Sequence, residues 1–241
     1  MAQDVPFEHG HPYGNRENMY DQINDREDMA ARREAIHRTA FRLFTEKKID
    51  DVSMTEIAEK SGCGRRTLNR YFDDKPNLVI SVAAWSFRKF RGENRKRRPK
   101  ADFKGMTAAE IFEFFLDSFV EMYRHHRDLL KFNQFFNVYV ATEKINSGAL
   151  QPFKEITEGL RAQFHEVYLL AERDHTLRTD IPEEEIFSAS LHLMLAAVTR
   201  YAVGLNYTPD KGFDPGKELE LQKRMLMKEY CKQVIHTDQK S

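Results

Sequence analysis

Apolar residues recur at helical spacing along most of the chain. Ile36, Ala40, Leu43 and Phe44 fall at i, i+4, i+7 and i+8, one face of an amphipathic helix. Arg32, Arg33, Arg38 and Arg42 occupy its other face. Asp50, Asp51 and Val52 break the pattern, and Ser53-Met54-Thr55-Glu56 then reads as a capping box opening a short helix that ends at Gly62. Cys63 and Gly64 form a turn. A second short helix, from Arg65 to about Phe72, places Leu68, Tyr71 and Phe72 on a buried face. Asp73, Asp74, Lys75 and Pro76 restart the chain, since proline is tolerated in a first helical turn. A long helix follows through Leu78, Val82, Trp85 and Phe90 towards Arg95.

Lys96-Arg97-Arg98-Pro99-Lys100 reads as a basic linker, and Thr107-Ala108-Ala109-Glu110 as a further capping box. The helix it opens carries Ile111, Phe115, Phe119 and Tyr123 on one face. Later helical patterns cover about 128–143, 150–171, 183–205 and 216–236, with acidic Glu183 and Glu184 suiting a helix start. Residues 1–25, rich in His, Gly, Asn and Asp without apolar periodicity, read as a disordered tail. No stretch alternates with a period of two. The expected fold is all-α, with a helix-turn-helix domain over 26–78 and a larger helical domain over 79–241.

Composition narrows the class. Hydrophobic residues at 41% and charged residues at 32% suit a globular chain with a real core. The 38 basic side chains match the 38 acidic ones, so any nucleic-acid binding must come from uneven distribution of charge. No apolar run approaches the roughly 20 residues of a membrane span, and the N-terminus does not read as a signal peptide. Cys63 and Cys231 sit in no metal or redox spacing. A cytoplasmic protein is expected.

Two short helices joined by a glycine-containing turn, preceded by a longer helix, form the pattern of a helix-turn-helix. The first short helix fixes itself by Met54, Ile57 and Ala58, and Gly62 supplies the positive φ of the turn. The second buries one side and offers Arg65, Arg66, Asn69 and Arg70 to base edges. Arg and Asn side chains are suited to bidentate contacts with guanine and adenine. Thr67 and Tyr71 can donate to phosphates. Ser53, Thr55, Gly64 and Lys75 complete the candidate DNA-binding set.

Ser53-Met54-Thr55-Glu56-Ile57-Ala58, followed by Ser61-Gly62-Cys63-Gly64-Arg65-Arg66-Thr67-Leu68-Asn69-Arg70-Tyr71-Phe72-Asp73-Asp74-Lys75, resembles the TetR family of bacterial repressors. Gly62, Thr67, Leu68, Tyr71, Phe72, Lys75 and Leu78 match its usual pattern. Asn69 stands where the family commonly has a tyrosine touching the DNA backbone, and Asn there could read a base instead. Gly64 replaces the usual Ser cap, and Cys63 replaces a Val and should be buried and inert. The resemblance implies a homodimer on a palindromic double-stranded operator and a small-molecule site in the C-terminal body. The last two helices, with Ile186, Phe187, Met194, Val198, Tyr201, Leu226 and Tyr230, would then form the dimer interface.

Phe115, Phe119, Tyr123, Phe135, Tyr139, His165, Tyr168 and His192 are the candidate ligand-binding residues, for a small apolar or aromatic effector. No cofactor is expected. The adjacent His125 and His126 point about 100° apart on a helix, and Glu121 with His125 is a lone ligand pair, so no metal is expected either. No nucleophile–base pair, phosphate loop or paired carboxylates stand at useful spacing, which argues against an enzyme. The alternative is a DNA-binding structural or adaptor protein of the same fold, with a filled body and no effector.

Overall fold

A computed structural model describes residues 14–97, 103–143, 145, 148–204, 212 and 214–232. The described residues form α1 (Gly14–Glu46), α2 (Met54–Lys60), α3 (Arg65–Phe72), α4 (Lys75–Arg97), α5 (Ala108–His125), α6 (Arg127–Thr142), α7 (Gln151–Asp174), α8 (Glu183–Ala202) and α9 (Pro215–Tyr230). The fold is all-α, as the periodicity requires. An isolated bridge between Leu177 and Cys231 ties the end of α9 to the segment before α8, and Lys232 N–H donates to the Thr176 carbonyl at 2.9 Å.

Helix α1 begins at Gly14, inside the stretch expected to be a disordered tail. No proline interrupts 14–46. A helix anchored by packing at Ile36, Leu43 and Phe44 extends at the low cost of propagation rather than nucleation. Residues 1–13 and most of the basic linker lie outside the described residues.

Local capping signals acted unequally. At α5 the box is complete: Thr107 Oγ1 accepts from Glu110 N–H, and the Glu110 carboxylate accepts from Thr107 N–H at 2.7 Å. At α2 only half forms. Ser53 Oγ accepts from Glu56 N–H at 3.1 Å, but the Glu56 carboxylate meets Lys47 Nζ at 2.7 Å. A nearby ammonium outcompetes a backbone N–H because both partners of that contact carry full charge, whereas the N–H carries only a partial one.

Two cores result. The N-terminal one gathers Ile36, Leu43, Phe44, Ile57, Leu68 and Leu78, all fully buried. The second is built on α5 by α7, α8 and α9, and includes Phe112, Leu116, Phe164, Ile186, Met194 and Val198. The expected boundary at 78/79 falls within α4, whose residues through Ala83 pack in the first core and whose Phe90 packs in the second. Helix α6 is likewise shared: Leu129 and Leu130 join the body, whereas Phe132, Phe136 and Tyr139 join the N-terminal core. On α5 Ala108, Phe112 and Leu116 are fully buried and Phe119, Val120 and Tyr123 nearly so, while Ile111 and Phe115 are half-buried. Four neighbouring helices surround α5, so its buried arc is wider than a single stripe and takes in Phe119 and Tyr123 of the expected one.

Candidate nucleic-acid interface

The reading head starts from a turn that only a few residues can make. Gly62 sits at φ +70°, Cys63 N–H donates to the Ala58 carbonyl at 3.0 Å, and α3 begins one residue after Gly64. Gly64 is extended (φ −74°, ψ 151°) and gives the helix no side-chain cap. The Cys63 thiol is half-buried rather than fully so, with Ser61 Oγ at 3.3 Å.

Leu68 and Phe72 bury one side of α3, which turns Arg65, Arg66, Asn69 and Arg70 outward to full exposure and leaves Thr67 and Tyr71 half-buried. The same helix carries no carboxylate. Arg65 is already engaged: its Nη1 donates to Thr55 Oγ1 at 3.0 Å and its Nε to Asn69 Oδ1 at 3.1 Å. This clasp ties α2 to α3 and leaves the Asn69 amide with its NH₂ outward. Reading adenine bidentately uses both Asn69 atoms, and Oδ1 keeps a second lone pair for it beside the Arg65 bond. Arg66 makes no ion pair with any described residue, and Arg70 lies 5.8 Å from the Tyr71 ring. Ser53 accepts the α2 cap, leaving its hydroxyl proton to donate outward.

Lys75 has a different setting. Its Nζ donates to the Asp50 carbonyl at 3.2 Å and lies 6.0 Å from the Tyr139 ring. Burial holds its pKa below the ordinary lysine value, partly offset by Asp50, Glu143 and Asp51. In the free protein Lys75 therefore fastens the start of α4 to the α1–α2 loop.

Several residues that seat the head were not singled out by pattern. His37 Nε2 is 2.8 Å from Ser81 Oγ, Trp85 Nε1 donates to Glu34 Oε2 at 2.5 Å, and the Arg33 guanidinium lies 5.2 Å over the Phe72 ring. The His37 and Trp85 contacts join α1 to α4, with partners 44 and 51 positions apart, and the Arg33 contact joins α1 to the end of α3. No local signal announces such pairs.

A family model for bacterial regulatory proteins of the tetR family matches residues 36–82, spanning the end of α1 through the first turns of α4. Residues 36–82 thus resemble the helix-turn-helix module of that family. An HTH-type transcriptional regulator of Staphylococcus aureus (strain bovine RF122 / ET3-1) is 39% identical over 57 residues, 24% of this chain and 31% of that protein. Its counterpart in strain USA300 is 40% identical over the same length and the same shares. The alignment thus spans about a third of the length of these relatives. Solved structures extend the likeness of fold to the body. The fatty acid degradation regulator FadR from Bacillus halodurans superposes with a TM-score of 0.61 at 14% identity, over 81% of this chain and 94% of that one. NalD of Pseudomonas aeruginosa gives 0.55 at 18% identity, over 86% and 99%. FadR from Bacillus subtilis, solved with stearoyl-CoA, gives 0.59 at 16% identity, over 80% and 97%.

Within this fold the eight candidate effector residues do not converge. Phe115 and Phe119 meet edge to face at 5.3 Å in the body, near buried Tyr123. Phe135 and Tyr139 belong to the N-terminal core instead, because α6 crosses between the two. His165 is exposed and pairs with Glu183 at 2.8 Å, which raises its pKa above the ordinary imidazole value. Tyr168 Oη donates to the carbonyls of Thr179 and Ile181, and His192 is exposed on α8. The body aromatics pack on one another, with Phe112, Phe115, Phe164 and Phe187 in successive ring contacts of 5.5–6.5 Å.

The residues assigned to a dimer interface also face inward. Ile186, Phe187, Met194, Val198, Leu226 and Tyr230 are buried within one chain against α5 and its neighbours. The apolar side chains that α8 and α9 turn outward are Leu193, Leu221 and Met225, at 57%, 46% and 62% exposure. A helix packed on its own body turns its most apolar stripe there, so only these few apolar side chains remain on its outer face. Among the described residues no three His, Cys, Asp or Glu side chains are grouped to hold a metal ion, and no helix is long and apolar enough to cross a membrane.

Proposed function

We propose that the protein is a homodimeric transcriptional repressor whose α3 reads a palindromic operator in the major groove, and whose DNA affinity a small molecule adjusts. The observation that carries the reading is the two-sided α3, with Leu68 and Phe72 locked into the core beneath a solvent face of three arginines and one asparagine. That face has the donors for guanine and adenine edges and no opposing carboxylate. The role as repressor draws support from NalD, named as the secondary repressor of a multidrug efflux pump, and response to a ligand from the stearoyl-CoA complex of FadR. Such a regulator works in the cytoplasm, where its DNA is, and performs no catalysis.

Dimerisation through α8 and α9 would bring Leu193, Leu221 and Met225 against their copies, and two α3 helices about 34–36 Å apart would fit successive turns of one DNA face. Met225→Glu should then convert the dimer to a monomer in analytical ultracentrifugation. The mutual packing of the body aromatics favours a second reading, an adaptor of this fold without an effector. It would show no ligand-dependent change in DNA affinity.

The test is a mobility shift on the DNA upstream of the gene, at moderate salt. Wild type should bind a palindromic segment saturably. Arg66→Ala should weaken it roughly ten- to hundred-fold, the worth of one guanine contact, with thermal stability unchanged because Arg66 is exposed. Equal binding of wild type to random DNA would overturn the proposal.

A further inference from the structure

A cleft of about 430 Å³ opens where α1 and α4 meet the corner between α5 and α6, a size typical of small-ligand sites. Its apolar lining is Leu129 and three aromatics, Phe41, Trp85 and Phe90, with Phe41 and Trp85 edge to face at 5.8 Å. Four permanent cations line it, Arg38, Lys89, Arg124 and Arg127, against two carboxylates, Glu93 and Asp128. Arg38 pairs with Glu34 at 3.5 Å, and Arg124 with Glu121 and Glu220 at 3.3 and 3.1 Å, which leaves Lys89 and Arg127 as the cations held loosely. Glu93 is divided between Lys89 at 4.0 Å and His126 at 3.8 Å, and Asp128 reaches only Lys131, also at 4.0 Å. Arg127 rests over the Tyr123 ring at 4.7 Å and donates to the Tyr123 carbonyl at 3.3 Å, with no described carboxylate in ion-pair range. Helix α6 starts at this corner with no side chain capping its N-terminus, so its dipole adds positive potential to the same space.

We propose that this cleft binds a small aromatic organic anion of the aryl carboxylate or aryl sulfonate class. The ring would lie on the Phe41–Trp85–Phe90 floor. Lys89, which rests 5.2 Å from the Trp85 ring, would lift to pair with the acid group together with Arg127. The Trp85 N–H is already given to Glu34, so the indole offers its face and not its donor. Two walls of the cleft come from α1 and α4, which carry the reading head, and the others from the body. A ligand that fits one arrangement of these walls better than another therefore biases the position of α3. The site lies outside the packed body core, and its existence does not depend on the DNA-binding reading.

Trp85 is the chain's single tryptophan, so its fluorescence reports the cleft directly and needs no DNA. The full-length protein is titrated with 8-anilinonaphthalene-1-sulfonate and, in parallel, with the uncharged N-phenyl-1-naphthylamine. The sulfonate should quench Trp85 saturably at one molecule per chain and bind about tenfold more tightly than the neutral probe. Lys89→Gln and Arg127→Gln should each weaken the sulfonate by about tenfold, the worth of one desolvated ion pair, and leave the neutral probe unchanged. Sulfonate binding without quenching of Trp85, equal affinity for the two probes, or indifference of sulfonate affinity to both substitutions would overturn the proposal. The comparison of probes on wild type holds even if a variant folds poorly.

Discussion

His37 sits where α1, α3 and α4 meet, 6% exposed, with the Phe72 and Trp85 rings 5.3 and 5.7 Å away. Burial, then the Arg33 charge, push its pKa down to about 4; Glu34 opposes this and Arg88 adds to it. Those charges come from α1 and α4, while α3 contributes the uncharged Phe72. The folded pKa lies below the unfolded value of about 6.5. Between the two, the unfolded chain takes up a proton that the native chain refuses. The stabilisation is complete above the unfolded pKa and is lost as pH falls towards 4. A displacement of about 2.5 units corresponds to about 3 kcal/mol in all, of which about 2 kcal/mol are gone by pH 5. Urea denaturation of wild type and His37→Leu at pH 7 and pH 5 measures this. Removing the imidazole leaves the Ser81 hydroxyl without its partner, a cost that does not vary with pH, so the difference in pH dependence isolates the ring. Equal losses in the two proteins between those pH values, or an NMR titration of His37 near 6.5, would refute the reasoning.

Three further outcomes follow from local geometry. Gly62→Ala should lower stability by about 1–2 kcal/mol, because φ +70° is strained for an L-residue although the added methyl meets no atom within 4 Å. Gly64→Ser, in equally open space at an extended φ, should instead raise it by a few tenths of a kcal/mol by supplying the missing cap; thermal melts of both variants check the pair, and a neutral Gly62→Ala would count against the turn assignment. His165 should titrate above the ordinary imidazole value in wild type and fall back in Glu183→Gln, followed by NMR, since the Glu183 hydrogen bond is the largest cause of its shift. Any stability it adds is present below the ordinary pKa and fades as pH rises through the raised one.

Much of the reading head was legible in the chain itself. Leu68 and Phe72 lie four apart, so one face of α3 must go inward, and Arg65, Arg66, Asn69 and Arg70 must then face out. Ser53 at the α2 N-cap and Gly62 in the turn act within three or four residues of their targets, a range that local backbone geometry governs. Side-chain partners were harder to read even there. Glu56 left its box for Lys47, and Asn69 gave its oxygen to Arg65, because the choice among rival partners depends on which side chain packing brings near.

What the sequence determined alone was the number and type of most elements, the two-sided α3 and its capacity to meet base edges, since these depend on period, caps and turn chemistry over a few residues. Tertiary structure decided how those faces are shared out. It turned Ile186, Met194 and Leu226 into their own body and left Leu193, Leu221 and Met225 exposed. It carried Phe135 and Tyr139 to the N-terminal core through a helix that spans both. It set the lone tryptophan beside Arg127, 42 positions along the chain, in one charged cleft. Helical periodicity marks that a residue is apolar and on a given face, whereas the neighbour that covers the face is chosen by the packing of distant helices, which no local pattern encodes.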